Sequence, residues 1–352
     1  MKKYTAKTEN IVKAARNIES EHIPLYEHGI GAGIMEKIMN QEYGPLMYGS
    51  YDDKKEWIRR VADFYETMGY DFFNFEMGIG GCLPGGGALG SHVDPVIKDM
   101  EDFQKYPWEQ LPNLYFEKFG DYYRALREAK PSHIQALAGP GNGVFECVQD
   151  LVGYEGLCYI KADDEELYGL LFRKVGETIH EVWKRFIALY GDLFCAFRIG
   201  DDLGFKSATL LPPEDIKKYI VPEYKAVIET IHTTEKPFIY HSCGQIFDVM
   251  DAIITEAKID AKHSNEDQIA PFWVWVEKYG DQIGNFGGID TDAVCRLDKA
   301  TMRDYIEEVA AKSKGHGGFA FGSGNSIPEY VPVENYIAMN EIIREIRGEK
   351  SI

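Results

Sequence analysis

No Cys-x-x-Cys pair occurs among the six cysteines, at 82, 147, 158, 195, 243 and 295. Scattered in this way they indicate neither a disulfide framework nor a zinc ribbon, and a reducing compartment is the simplest setting. No run approaches the roughly 20 apolar residues of a membrane helix. The first residues, Met-Lys-Lys-Tyr-Thr-Ala-Lys, are basic, but no apolar stretch of a secretion signal follows. A cytoplasmic protein without membrane association is expected. Positive charge is also scarce: 38 Lys and Arg stand against 57 Asp and Glu, a net −19. So acidic a chain is a poor match for nucleic acid or an anionic membrane, and favours a partner protein with a basic face. No Gly-x-Gly-x-x-Gly follows the first apolar run, which removes a dinucleotide-binding fold. The glycine-rich piece 78–90 ends without Gly-Lys-Ser/Thr, so it is no phosphate-binding loop, and it reads as a flexible loop or a lid.

What is present is alternation. Eight short apolar runs are separated by longer amphipathic stretches. The runs are Ile23–Glu27, Tyr70–Glu76, His133–Ala138, Leu193–Ile199, Pro237–Tyr240, Ile259–Lys262, Gln282–Gly287 and Gly318–Phe321. Helical periodicity covers Asp52–Met68, Glu165–Tyr190, Pro213–His232, Thr301–Lys312 and Val333–Arg347. Strand-then-helix order argues for a parallel sheet. Eight repeats in 352 residues predict a single (β/α)8 TIM barrel over the whole chain. Residues 1–20 read as a helical lead-in, and residues 95–130 as an insertion before the third strand. Cys195, inside Leu-Phe-Cys-Ala-Phe, reads as plain core. An apolar content of 45% is ample for that core.

In such barrels chemistry collects where the strands stop. The runs end in Glu27-His28, Glu76, Gly139-Pro140-Gly141-Asn142-Gly143 with Glu146 soon after, Asp201-Asp202, His241-Ser242-Cys243-Gly244, His263-Ser264-Asn265-Glu266-Asp267, Gly288-Ile289-Asp290 and Gly322-Ser323-Gly324-Asn325. Most are ordinary alone, but Glu76, a carboxylate closing an aromatic strand, needs a partner if it is buried. Asp201-Asp202 suits a helix cap, His263 a loop histidine and Asn325 a turn. Together they aim more ionisable chemistry at one mouth than a structural barrel needs. His241 and Cys243 are two apart in an extended segment, so their side chains leave on the same side. An imidazole and a thiolate so placed suit zinc.

The segment His241-Ser242-Cys243-Gly244, then Phe286-Gly287-Gly288-Ile289-Asp290, Gly322-Ser323-Gly324-Asn325-Ser326-Ile327-Pro328 and Val331-Pro332-Val333-Glu334-Asn335, resembles the uroporphyrinogen decarboxylase superfamily. The likeness is strongest over residues 190–340. It implies a (β/α)8 barrel and one of two activities. The decarboxylases carry an N-terminal Arg-Gln-Ala-Gly-Arg-Tyr segment, which this chain lacks, and a histidine where it has Asn325. The cobamide-dependent methyltransferases carry His-x-Cys as zinc ligands, matched here by His241 and Cys243. The coenzyme M enzymes of that group add a cysteine near the last strand, where this chain reads Ser323-Gly324-Asn325-Ser326. The third ligand is then sought among Glu76, His263, Glu266, Asp202 and water, with Glu76 favoured. The resemblance thus implies methyl transfer between a small methylated compound, such as a methoxylated aromatic, and a corrinoid (cobalamin) presented by a partner protein. Zinc would act as a Lewis acid on the departing oxygen or, in reverse, on a thiol.

Glu76, Asp202, His263 and Glu266, together with Asp201, are the candidates for catalysis and substrate orientation. Gly141, Asn142 and Asn325 are the candidate cofactor contacts. Phe73, Phe75, Phe145 and Trp273 are open to two readings, an aromatic pocket or ordinary core. A homodimer is compatible with the sequence. Two other activities remain: a metal-independent decarboxylase using Glu76 and Asp290, and a non-catalytic ligand-binding barrel.

Overall fold

The computed structural model describes residues 4–20, 22–90 and 93–349. The outermost residues of the expected barrel, 1–3 and 350–352, lie outside that set. Seven parallel strands form one sheet in sequence order: β1 (Phe73–Gly78), β2 (Ala136–Gly141), β3 (Phe194–Gly200), β4 (Phe238–His241), β5 (Ala261–His263), β6 (Gly284–Ile289) and β7 (Phe319–Ser323). Helices surround the curled sheet, giving a TIM-like α/β barrel. Sequential order in an all-parallel sheet follows from right-handed strand–helix–strand crossovers, each placing the next strand beside the last.

The first expected run, Ile23–Glu27, is the exception. It closes the barrel without becoming a strand, and only Leu25 bridges Phe321 of β7. Tyr26 donates to Phe321 O at 2.7 Å, and Phe321 donates to Pro24 O at 2.9 Å. Pro24 itself has no N–H to extend a ladder. On the other side Asn74 of β1 replaces the ladder with its side chain, donating to Glu27 O at 2.7 Å and His28 O at 3.0 Å. Gly322 permits this closure, because a Cβ there would lie 1.6 Å from Tyr26 O.

Several strands run past the last apolar residue of the expected runs. β1 continues through Glu76 to Gly78, and β7 continues to Ser323. Chemistry-bearing residues therefore sit on strand backbone as well as on loops. In β1 the alternation is plain: Phe73, Phe75 and Met77 are buried, while Asn74 and Glu76 are partly open. Phe75 packs on Trp57 and Tyr123, with centroids 5.7 and 5.8 Å apart. It belongs to the core between strand and helices. Phe145 is fully buried, and Trp273 carries Lys312 4.0 Å above its ring.

The helix Glu165–Tyr190 has the bounds expected from its periodicity. Pro213–His232 is helical with a widened turn over Ile216–Ile220. Pro222, just beyond, lacks the N–H that would close a regular turn there. This helix delivers Tyr224 to the site. The segment 95–130 contains a helix, Leu111–Ala129, packed against Tyr51–Met68 and Glu165–Tyr190. The lead-in helix Thr8–Ala15 lies under the sheet, near the starts of β6 and β7. Asp71 fixes it, accepting from Lys7 N at 2.8 Å and Asn10 Nδ2 at 3.2 Å. The glycine-rich loop is tied down where Gly87 donates to Asp150 O at 3.2 Å. Among the described residues no helix is long and apolar enough to cross a membrane.

Candidate metal centre

β4 ends at His241, and the chain turns through Ser242 to Cys243. β3 ends at Gly200, so Asp201 and Asp202 leave the sheet beside them. The two aspartates part company at once. Asp201 turns inward, accepting from Phe145 N at 3.0 Å, Glu146 N at 2.8 Å and the Tyr224 hydroxyl at 2.5 Å. It caps the helix Val144–Val152. Burial pushes its pKa up to about 6. Asp202 faces the other way. Its Oδ1 lies 3.6 Å from His241 Nε2 and accepts from Cys243 N at 2.9 Å. Cys243 Sγ is 3.5 Å from His241 Nε2. One ligand atom from each of Asp202, His241 and Cys243 thus falls within 4.8 Å of the others.

A hydrogen-bond chain aims His241. Its Nδ1 is 2.7 Å from His263 Nδ1, and His263 Nε2 is 3.1 Å from Ser323 O. A carbonyl only accepts, so His263 carries its proton on Nε2 and presents a lone pair at Nδ1. His241 must then donate from Nδ1, which leaves the lone pair of Nε2 directed at Cys243 and Asp202. Both rings are neutral. Burial holds His263 down at about 3 and His241 well below the usual imidazole range. Neutral imidazole with its second nitrogen committed to an outer partner is the form that binds metals. His28 stacks on His241 with centroids 3.7 Å apart. Its buried Nδ1 has no partner among the described residues.

The donor set fits a divalent cation on chemical grounds. Burial first, then the Asp202 carboxylate, pushes the Cys243 thiol up to about 12. A thiol and a carboxylate in contact oppose each other's ionisation, and a cation between them reverses that opposition. Asn325 Nδ2 donates to Cys243 Sγ at 3.2 Å, which favours the thiolate.

Glu76 does not join this cluster. Its Oε2 is held by Arg198 of β3, at 2.7 Å from Nη2 and 3.3 Å from Nε. Arg198, 1% exposed, also donates to Tyr26 Oη at 3.0 Å and Asn74 Oδ1 at 3.3 Å. Among the described residues it is Asp202, and not Glu76, whose carboxylate lies within 4.8 Å of the ligand atoms of His241 and Cys243. His263 stands behind His241 as its orienting partner. Glu266 and Asn325 line a cleft of about 560 Å³ with Asp290, Ser326, Tyr330 and Lys206. Asn142 lies apart. It donates to Glu146 Oε2 at 3.0 Å and accepts from Gly80 N at 3.1 Å. With Glu146 it lines a second cleft of about 410 Å³ beside the glycine-rich loop. Gly141 ends β2, where a Cβ would strike Glu76. Asp290 caps the helix Thr291–Arg296, accepting from Asp292 N at 2.8 Å and Asp267 N at 2.7 Å.

Sequence reading assigned no role to Arg198 or Lys262, and it placed Glu27 at a strand end without assigning it one. The available signal was a charge inside an otherwise apolar run: Phe197-Arg198-Ile199 and Ala261-Lys262. Lys262 lies 3.7 Å above the Trp275 ring and donates to Ser264 O, and burial lowers it to about 7. Glu27, fully buried, accepts from Ser323 N at 2.9 Å and Ser323 Oγ at 2.5 Å. Burial pushes Glu27 up to about 8. An unfolded glutamate titrates at about 4.3, so the folded state holds the extra proton between these values. Stability from this group is present below about pH 4.3 and lost as pH rises towards 8. Glu27→Gln should therefore flatten the fall in unfolding free energy between pH 5 and pH 8, measured by urea denaturation. An unchanged pH slope contradicts a protonated Glu27.

The family model for uroporphyrinogen decarboxylase matches residues 6–346. Over 144 residues the chain is 26% identical to the uroporphyrinogen decarboxylase of Carboxydothermus hydrogenoformans. That alignment covers 39% of this chain and 37% of the relative, so the chain spans well under half of that protein. In fold the chain is similar to a methyltransferase from Methanosarcina mazei, with a TM-score of 0.70 and 12% identity, over 96% of this chain and 98% of that one. It is also similar to a putative vitamin-B12 independent methionine synthase from Listeria monocytogenes, with a TM-score of 0.50 and 14% identity, over 94% and 100% of the two chains. At these identities both likenesses are of fold.

Proposed function

The chain belongs to the uroporphyrinogen decarboxylase family, and from that premise we propose that it is a zinc-assisted methyltransferase. It moves a methyl group between a small methylated substrate and a corrinoid carried by a partner protein. The observation that carries this reading is the convergence of Asp202, His241 and Cys243, with His241 Nε2 left free by the chain through His263 to Ser323. The fold likeness to a methyltransferase supports it. The two carboxylates of the decarboxylase alternative point the other way. Glu76 is paired with Arg198, and Asp290 is committed to backbone amides.

His241, Cys243 and Asp202 would hold the zinc, a three-ligand set of the kind found in catalytic sites. Zinc bound there supplies Lewis acidity, lowering the pKa of a thiol or drawing charge from an ether oxygen. The protein does the rest. His263 fixes the tautomer of His241, and Asn325 supports the sulfur of Cys243. Glu266 and Asn325 place the bound substrate against the cluster from the cleft. The test is formation of methylcobalamin from cob(I)alamin and a panel of methyl ethers by the zinc-loaded chain. Activity should vanish with a chelator and return with zinc. Activity that survives the chelator, or decarboxylation of a porphyrinogen in place of methyl transfer, overturns the proposal.

A further inference from the structure

The cleft beside the cluster has an unbalanced charge and an unsatisfied donor. Glu266, Asp290 and Asp292 bring three carboxylates to its wall. Asp290 is partly offset by the amides it accepts from, and Asp292 pairs with Arg296. The backbone carbonyl of Glu266 accepts from Ile269 N and Ala270 N, and its carboxylate acts electrostatically on the buried Lys262 but has no side-chain hydrogen bond or ion pair among the described residues. Lys206 is the cation at the lip, and its Nζ donates to a neutral acceptor, Gln268 Oε1, at 2.7 Å. Deeper in the wall, Asn265 is 4% exposed. Its Oδ1 accepts from Gly288 N at 2.8 Å, while its Nδ2 has no partner among the described residues. The Thr291 hydroxyl is also buried and unpartnered. A buried amide donor left unpaired is costly and points to an acceptor supplied by a ligand. The cleft meets the cluster at Asn325, which lines one and donates to Cys243 of the other.

We infer that this cleft selects a substrate with a positively charged amine at one end and an oxygen acceptor near it, held between Glu266 and Asn265 with its methylated end toward Cys243. The inference rests on the methyltransferase reading only for which end faces the cluster. Recognition of the charge follows from the cleft itself. A carboxylate-bearing methyl ether of the same size would meet Glu266, Asp290 and Asp292 with like charge.

Three size-matched methyl ethers test it by binding alone: 2-methoxyethylamine, 2-methoxyethanol and methoxyacetate. They are titrated into the zinc-loaded 352-residue chain and followed by NMR or calorimetry. The amine should bind at least about tenfold more tightly than either of the others, a margin that shrinks as salt is raised. Glu266→Gln should reduce the margin to within about twofold, with zinc content unchanged. Asp292→Asn, at an exposed lip position, should reduce it less. Equal or tighter binding of the alcohol or the acid overturns the inference. So does failure of all three to bind, or a margin that survives in the Glu266→Gln/Asp292→Asn double variant. A clear preference for the amine in a protein that transfers no methyl group counts against the proposed reaction alone. Methyl transfer from acidic ethers with no preference for the amine counts against the cleft reading alone.

Discussion

Cys243→Ala should lower methyl transfer to cob(I)alamin by about 10³-fold, since loss of Lewis-acid stabilisation is worth several kcal/mol and each 1.4 kcal/mol is tenfold. Three observations fix the size. The thiol is one of the three donors of the Asp202–His241–Cys243 cluster, and the neighbouring group of His28, His241 and His263 has no sulfur. Burial and Asp202 disfavour its ionisation unless a cation compensates. Its sulfur already receives a hydrogen bond from Asn325. Asp202→Ala should cost nearly as much, because the same cluster loses its carboxylate. His263→Ala should cost less, about 10- to 100-fold in zinc affinity, the range for removing an outer partner of a metal-bound histidine. Asp202→Ala also separates the structure from the sequence expectation, since Glu76→Gln should leave zinc content intact. Retention of zinc and activity by Cys243→Ala would remove the proposed role of the thiol.

Arg198→Met should destabilise the fold by about 1–3 kcal/mol, the cost of leaving polar partners unsatisfied, because Arg198 is enclosed while the Glu76 carboxylate stays partly open. Arg198 is almost fully enclosed and answers Glu76, Tyr26 and Asn74 at once. Without it the Glu76 carboxylate and the Asn74 carbonyl oxygen lose their donors in the barrel interior. The double variant Arg198→Met/Glu76→Leu should recover part of the loss, because an apolar pair avoids the stranded charge. Urea unfolding at pH 7 measures both. A single-variant loss below about 1 kcal/mol would mean that water already reaches Glu76 and the pair behaves as a surface one.

Much of this fold was legible because periodicity is a local property. The helix Glu165–Tyr190 carries its apolar stripe on its face, and seven of the eight apolar runs became strands in the order they were written. The first run escaped because its partner is a side chain: Asn74 stands where a ladder would, and Pro24 cannot donate. The pair His241 and Cys243 was legible because two residues of extended chain put them on one side. The third corner was not. Asp201 and Asp202 are identical in type, and only the packing of Val144–Val152 and Tyr224 against the sheet decides which becomes a cap and which faces the cluster. Glu76 closed an aromatic strand and so looked chemical. Its partner, Arg198, lies two strands away, and no spacing in the sequence reports that distance. The signal that was available, a guanidinium inside the apolar run Phe194–Ile199, marks a buried charge needing a partner without saying which one.

X-ray absorption at the zinc edge of the metal-loaded chain tests the central claim most directly. One sulfur at about 2.3 Å, with nitrogen and oxygen scatterers at about 2.0–2.2 Å, is predicted for Cys243, His241 and Asp202. The sulfur shell should disappear in Cys243→Ala, and Glu76→Gln should leave the spectrum unchanged. A spectrum without sulfur, or one that changes with Glu76 and not with Asp202, would contradict it.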